Sequence, residues 1–376
     1  MSVRNIDTGA STARYARGWH CLGLAETFRD GQPHAIEAFG TKLVVWAGQD
    51  GKLHALDGYC RHMGADLTQG TVKGDSIACP FHDWRWGGNG KCTGIPYAKR
   101  VPLRARSRGW PTSEQNGQLF VWNDPQGNPP IAEQAIPEIP GVNTEQWSDW
   151  IWDQRVISGS NCREVIDNVA DVAHFFYVHH AFPTQFSNIF SGHTATQYLR
   201  SKARPDYMKD PKKAEGSTLR SEATYFGPSY MVNWLWPALN GNEIECVLIN
   251  CHYPITEDSF MLQWGLAAKG FPGMEPEHIQ ILAQKLHKNF GDGFLQDVEI
   301  WENKTKIDNP LLCEEDGPVY QLRRWYEQFY VDVEDISEEM TNRFEFEVDT
   351  TRANEVWEAE VAENLALRAE REKAEA

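Results

Sequence analysis

The stretch CRHMGADLTQGTVKGDSIACPFH, residues 60–82, decides how the first part of the chain is read. Each end carries one cysteine and one histidine, Cys60 with His62 and Cys79 with His82, and sixteen residues separate the two halves. Two thiolates and two imidazoles are the ligand set of a 2Fe–2S cluster in which one iron takes both Cys and the other both His. Such ligation raises the reduction potential above that of an all-Cys cluster and suits it to pass electrons onward. A Cys2His2 zinc site would use the same atoms. Zinc knuckles usually pair two thiolates, whereas each half here mixes Cys with His, which favours the iron–sulfur reading.

The surroundings read as β-rich. KLVVWAGQDGKLHAL (42–56) is two apolar runs around Asp50-Gly51, a hairpin signal. SIACP and QLFVW add strand-like segments, with the Gly-rich loop WGGNGKCTG between them. The Pro-rich run NDPQGNPPIAEQAIPEIPG (123–141) breaks all periodicity and reads as a connection, giving a first domain over 1–141 and a second over 142–376. A chain of 376 residues exceeds the size at which one core stops growing, and 41% apolar content with 15 Trp and 17 Phe can fill two. The net charge of −17 argues against nucleic acid or an anionic membrane as partner. Eight cysteines show no disulfide-scaffold spacing, so those outside the cluster read as reduced thiols. The N-terminus, MSVRNIDTGASTARYARGW, has no apolar leader, and no apolar run approaches the roughly 20 residues of a spanning helix. A cytoplasmic protein without a membrane span is expected.

The second part opens on EVIDNVADVAHFFYVHH (164–180), with Val165, Ile166, Val169, Val172, Ala173 and Phe176 at helical spacing. Asn168, Asp171 and His174 fall three apart on the other side, so one buried helix carrying a polar stripe is expected. His179 and His180 follow. Residues five apart in a regular helix point about 140° away from each other. His174 and a later His therefore converge on one metal only if the helix widens or ends there, and this geometry does not separate His179 from His180. Two His and one carboxylate form the facial triad of oxygen-activating non-haem iron. A long helical pattern covers about 276–304, with Asp292, Asp297, Glu299 and Glu302 as candidates. Asp297 lies among Phe294, Leu295, Val298 and Trp301, which places it towards an apolar interior. Alternating, aromatic-rich runs between 220 and 266, including SYMVNWLW, CVLINCHY and FMLQWGL, read as an antiparallel sheet. The charged end, 335–376, reads as a surface helix fraying into a disordered tail.

The order of these motifs resembles the oxygenase component of Rieske non-haem iron oxygenases. The likeness extends to the 3-ketosteroid 9α-hydroxylase family through GYCRHMGADLTQGTVKGDSIACPFHDWRWGG, SNCREVIDNVADVAHFFYVH, GFLQDVEIWENK and DNPLL…VYQLRRWYEQFYVD. The resemblance implies an α+β chain: an N-terminal all-β Rieske domain, then a helix-grip domain whose curved antiparallel sheet wraps helices around a pocket. It implies Cys60, His62, Cys79 and His82 as cluster ligands and His174, His179 and Asp297 as iron ligands, which selects His179 over His180. Asp171 would bridge an iron-ligand His to a cluster His of a neighbouring subunit, and Asn168 would sit beside the iron. A head-to-tail homotrimer is implied, because a cluster lies too far from the iron of its own chain. The implied activity is C9 hydroxylation of a 3-ketosteroid with dioxygen, fed by a reductase carrying a flavin and a plant-type 2Fe–2S cluster. A sterol or an aromatic acid is the alternative substrate. Val169, Gln197, Asn233, Asn250, Phe294 and Trp301 are candidate pocket residues, the amides able to donate to a ketone or to pair with backbone. A pure electron carrier would need only the first domain, and a zinc-stabilised binding module would need no second metal.

Overall fold

The computed structural model describes residues 14–375 apart from 240, 306 and 308, so residues 1–13 of the N-terminal stretch read above lie outside it. Strand Thr41–Ala47 shows how the first domain is built. Its run LVVW is buried on both faces, with Leu43 and Val45 in one core and Val44 and Trp46 in another. It pairs antiparallel with Leu53–Asp57 through the hairpin expected from the sequence, and Gly51 supplies a left-handed residue at the turn, φ +76°. Three small sheets result. One holds Gly18–Leu24, Thr112–Gln115 and Gln118–Asn123, and a second holds His34–Ala38, Thr41–Ala47, Leu53–Asp57 and Gly109–Trp110. The third holds Thr71–Lys73, Ser76–Ala78, Arg85–Gly87 and Cys92–Gly94, and Cys79–His82 occupies the loop between its two middle strands.

The second domain is a nine-stranded antiparallel sheet running through Ile151–Ser158, Ser259–Ala268, Cys246–Pro254, Tyr230–Leu239, Ser217–Phe226, Thr194–Ala203, Ala181–Ser191 and Phe344–Glu347, with Asn242–Glu243 paired off this path. Its helices are α1 (Arg163–Ile166), α2 (Ala173–Tyr177), α3 (Pro276–Asn303), α4 (Val319–Glu327), α5 (Glu338–Thr341) and α6 (Thr351–Glu375). Alternation across the central strands divides labour between the faces. Val247, Ile249 and Cys251 pack with Trp19, Cys21, Phe120 and Trp122 of the first domain. Their neighbours Leu248 and Asn250 turn to the other side, where α3 lies. Among the described residues no helix is long and apolar enough to cross a membrane.

Two expectations are corrected. The single helix expected over 164–180 is α1, a 3-10 turn at Asp167–Val169 and α2. Asp171 ends one turn and starts the next, its carboxylate accepting the amides of Ala173 (2.9 Å) and His174 (3.2 Å), a local bonding habit that competes with a continuous helix. The apolar face is buried as read, but Tyr177 is exposed. The charged end is not a disordered tail: α6 sets Trp357, Val361 and Leu365 against Phe176, Phe182 and Phe186. That stripe is one residue wide per turn, which is why composition concealed it.

Candidate functional site

The two Cys-His loops share one local design. Cys60 donates its amide to Ala65 and accepts from Gly64, and Cys79 donates to Trp84 and accepts from Asp83. Both sulfurs are buried, the indole of Trp86 donates to Cys60 Sγ at 3.3 Å, and the His62 and His82 rings approach edge to face at 4.9 Å. Burial, then the neighbouring Cys79 sulfur, push the Cys60 thiol above its usual pKa. A bound cation reverses that preference, because a coordinating thiol is deprotonated. Nδ1 of His62 and Nδ1 of His82 are buried without a hydrogen-bond partner. Two orphaned nitrogens beside two buried sulfurs fit an iron–sulfur cluster, whose bonds would satisfy them.

The second cluster forms where α2 ends. The amides of Val178 (2.7 Å) and His179 (3.3 Å) both point to the carbonyl of His174, so the last turn widens to an i, i+5 bond and closes with His180 at φ +54°. This is the widened, terminating helix that the spacing required. It brings His174, His179 and Asp297 of α3 together, with one donor atom of each within 4.8 Å of the others. His179 Nε2 lies 3.2 Å from Asp297 Oδ2. Burial disfavours the charged form of His179, but the Asp297 carboxylate outweighs it and raises the pKa above the usual histidine value. His174 Nδ1 is buried, without a hydrogen-bond partner, 3.7 Å from Asp171 Oδ2, which leaves Nε2 for a metal. Burial raises the Asp171 pKa, yet His174 and the two capped amides hold the carboxyl below its ordinary value. His180 turns away and stacks on Tyr207, ring centroids 3.6 Å apart.

Above this triad lies a cavity of about 320 Å³. Every candidate pocket residue lines it: Val169, Gln197, Asn233, Asn250, Phe294 and Trp301, together with Asn168. The amides differ in availability. Gln197 Nε2 donates to the carbonyls of Asn168 (3.1 Å) and Val169 (3.0 Å), the backbone-paired role. Asn233 Oδ1 accepts from Ser221 at 2.8 Å, which leaves its N–H groups available, and Asn250 Oδ1 is buried without a partner. The sequence reading missed Ser221, whose signal was a polar residue in the inward alternation Leu219, Ser221, Ala223, Tyr225.

Two metal-donor clusters, a cluster-bearing β-domain and a helix-capped sheet define a Rieske oxygenase, and the comparisons agree. Residues 18–105 match the Rieske [2Fe-2S] domain, which indicates a 2Fe–2S cluster. Dicamba monooxygenase bound to 3,6-dichlorosalicylic acid superposes with TM-score 0.64 at 18% identity, covering 85% of this chain and 98% of its own. NdmA of Pseudomonas putida with caffeine gives TM-score 0.64 at 17% identity, covering 87% and 96%.

Residues 121–330 match the 3-ketosteroid 9alpha-hydroxylase C-terminal domain, and the chain belongs to that family. An oxygenase component of 3-ketosteroid-9-alpha-monooxygenase from Rhodococcus rhodochrous is 66% identical, with 96% of this chain and 95% of the relative covered. Namesakes from Mycolicibacterium smegmatis and Mycobacterium tuberculosis are each 58% identical, covering 100% and 98% of this chain and 98% and 95% of their own.

Proposed function

We propose that the chain is the terminal oxygenase hydroxylating a 3-ketosteroid at C9 on its α face, with dioxygen and electrons from a separate NADH-dependent reductase. The observation that carries the reading is a mostly apolar cavity ending at three converging metal-donor side chains, in a chain whose near-full-length relatives bear the name of that activity. In this reading Cys60, His62, Cys79 and His82 hold the 2Fe–2S cluster, and His174, His179 and Asp297 hold a mononuclear iron. The iron supplies activation of dioxygen, and the cluster supplies electrons.

The chain's own residues do the rest. Asp171 orients the His174 imidazole through Nδ1, and Asn168 stands beside the metal position. Val169, Phe294 and Trp301 exclude water around an apolar ring system. The Asn233 amide, its oxygen held by Ser221, offers its N–H groups to the ketone. Chains close head to tail into a trimer, so that Asp171 also bridges to His82 of the next subunit. The reductase carries a flavin and a plant-type 2Fe–2S cluster, and the enzyme works in the cytoplasm. The test is a coupled assay with reductase, NADH and androst-4-ene-3,17-dione. The expected result is substrate-dependent oxygen uptake and a 9α-hydroxylated product. Turnover of an aromatic acid with none of several 3-ketosteroids would overturn the substrate reading.

A further inference from the structure

We infer that Arg204, anchored by Asp206 and through it by the C-terminal helix α6, is a positioning residue for the segment that carries His174 and His179. The inference rests on the reading of those two residues and Asp297 as iron ligands. Arg204 lies just past strand Thr194–Ala203, and among the described residues lining the cavity neither it nor Asp206 appears. It is nonetheless a buried charge, its side chain 1% exposed and that of Asp206 2%. A buried ion pair is costly to desolvate and is tolerated only when its hydrogen bonds are complete.

Those bonds are directed at the end of α2. Arg204 grips Asp206 with two donors, Nε to Oδ1 at 3.2 Å and Nη2 to Oδ2 at 2.6 Å. Its remaining arm, Nη1, donates to the carbonyl of Phe176 at 2.8 Å. That carbonyl lies in the last turn of α2, where acceptors lack an intrahelical donor. The guanidinium also sits 3.6 Å from the Phe176 ring centroid, and Phe176 stacks on Trp357 of α6 at 4.8 Å. Tyr207, one residue beyond Asp206, stacks on His180. The Arg204–Tyr207 turn therefore grips the residues on both sides of His179, by a backbone carbonyl and by two rings.

Helix α6 holds this turn in place. Asn364 donates to Asp206 Oδ2 at 2.9 Å, Glu360 lies 3.6 Å from Arg204, and Arg368 donates to the carbonyls of Met208 (2.7 Å) and Lys209 (2.8 Å). The widened last turn of α2 has only the His174 carbonyl to hold Val178 and His179 from within. An outside tether fixes where His179 points, and outer contacts of this kind change metal affinity roughly 10–100-fold.

The test is Fe(II) titration of cluster-loaded protein stripped of its mononuclear iron, with amide hydrogen exchange over 174–180 in the stripped form. Arg204→Gln is expected to weaken Fe(II) binding roughly 10–100-fold and to speed that exchange, with cluster absorbance unchanged. Arg204→Lys keeps the charge opposite Asp206 but lacks the fork, and should fall between the two. Asn364→Ala, which removes one donor to Asp206, loosens the same tether without leaving a buried charge unpaired and should weaken Fe(II) in the same direction. Parental affinity and parental exchange in a cooperatively melting Arg204→Gln protein would overturn the inference. If that variant does not fold, the same result for Asn364→Ala overturns it. A parental protein that takes up no iron beyond its cluster removes the metal-site reading first, and the inference with it.

Discussion

Asp171 shows how much one carboxylate is asked to do. It caps α2 through two amides and faces His174 Nδ1, with its side chain still 40% exposed towards solvent. Asn keeps the capping oxygen, so Asp171→Asn should preserve the fold and both metal centres. In the proposed reading it removes the charge that orients His174 and bridges to the next subunit. Turnover should therefore fall on the order of 10–100-fold or more with full metal content, and near-parental turnover would end the bridging assignment. The His pair gives a second comparison. His179→Ala should lose the mononuclear iron while His180→Ala keeps it, because His180 is committed to Tyr207. Loss from the second and retention in the first, by metal analysis, would reverse the roles. Type and spacing made Cys60, His62, Cys79, His82, His174 and Asp297 legible as candidates, and the resemblance supplied the ligand set. Spacing did not single out His179, since the choice depends on a positive φ at His180 that no periodicity announces.

At the scale of elements, legibility followed how many residues carried the pattern. Helix α3 runs over 276–303 against an expected 276–304, because its apolar face repeats all the way from Ile279 to Trp301. Strand Ala181–Ser191 went unread because a register shift between Pro183 and Gln185 breaks its period of two, and Thr194–Ala203 because its inward positions include the polar Gln197 and Ser201. Helix α6 was read as a surface helix, but its docking stripe was not. Its good helix formers predict the helix, whereas its docking depends on Trp357, 4% exposed, meeting the Phe176 face. Trp357→Ala should cost about 3–5 kcal/mol, the usual range for a buried aromatic truncated to Ala. Chemical denaturation checks it. A change within 0.5 kcal/mol would return α6 to the role of an exposed tail.

The two domains share a core, and that junction titrates. His20 on strand Gly18–Leu24 and His252 on strand Cys246–Pro254 are both buried, with Nδ1 of each and Nε2 of His252 lacking a partner. The sequence showed two domains but not that the run CVLINCHY covers one of them with the face carrying Val247, Ile249 and Cys251. Burial lowers the His20 pKa to about 4 and the His252 pKa to about 3, the second also disfavoured by His20. Unfolded histidines take up protons near pH 6.5, so between that pH and 3–4 the unfolded chain binds more protons than the native one. Stability is then complete above about pH 6.5 and falls as the pH is lowered through this window. At about 1.4 kcal/mol for each pH unit, His20 alone removes about 3 kcal/mol by pH 4. Urea unfolding of one metal-loaded preparation at pH 7.5, 6 and 5 should show this slope, and His20→Gln or His252→Gln should each flatten it. An unchanged slope in both variants would mean that neither ring enters the native state neutral, and would move the acid lability to the carboxylates.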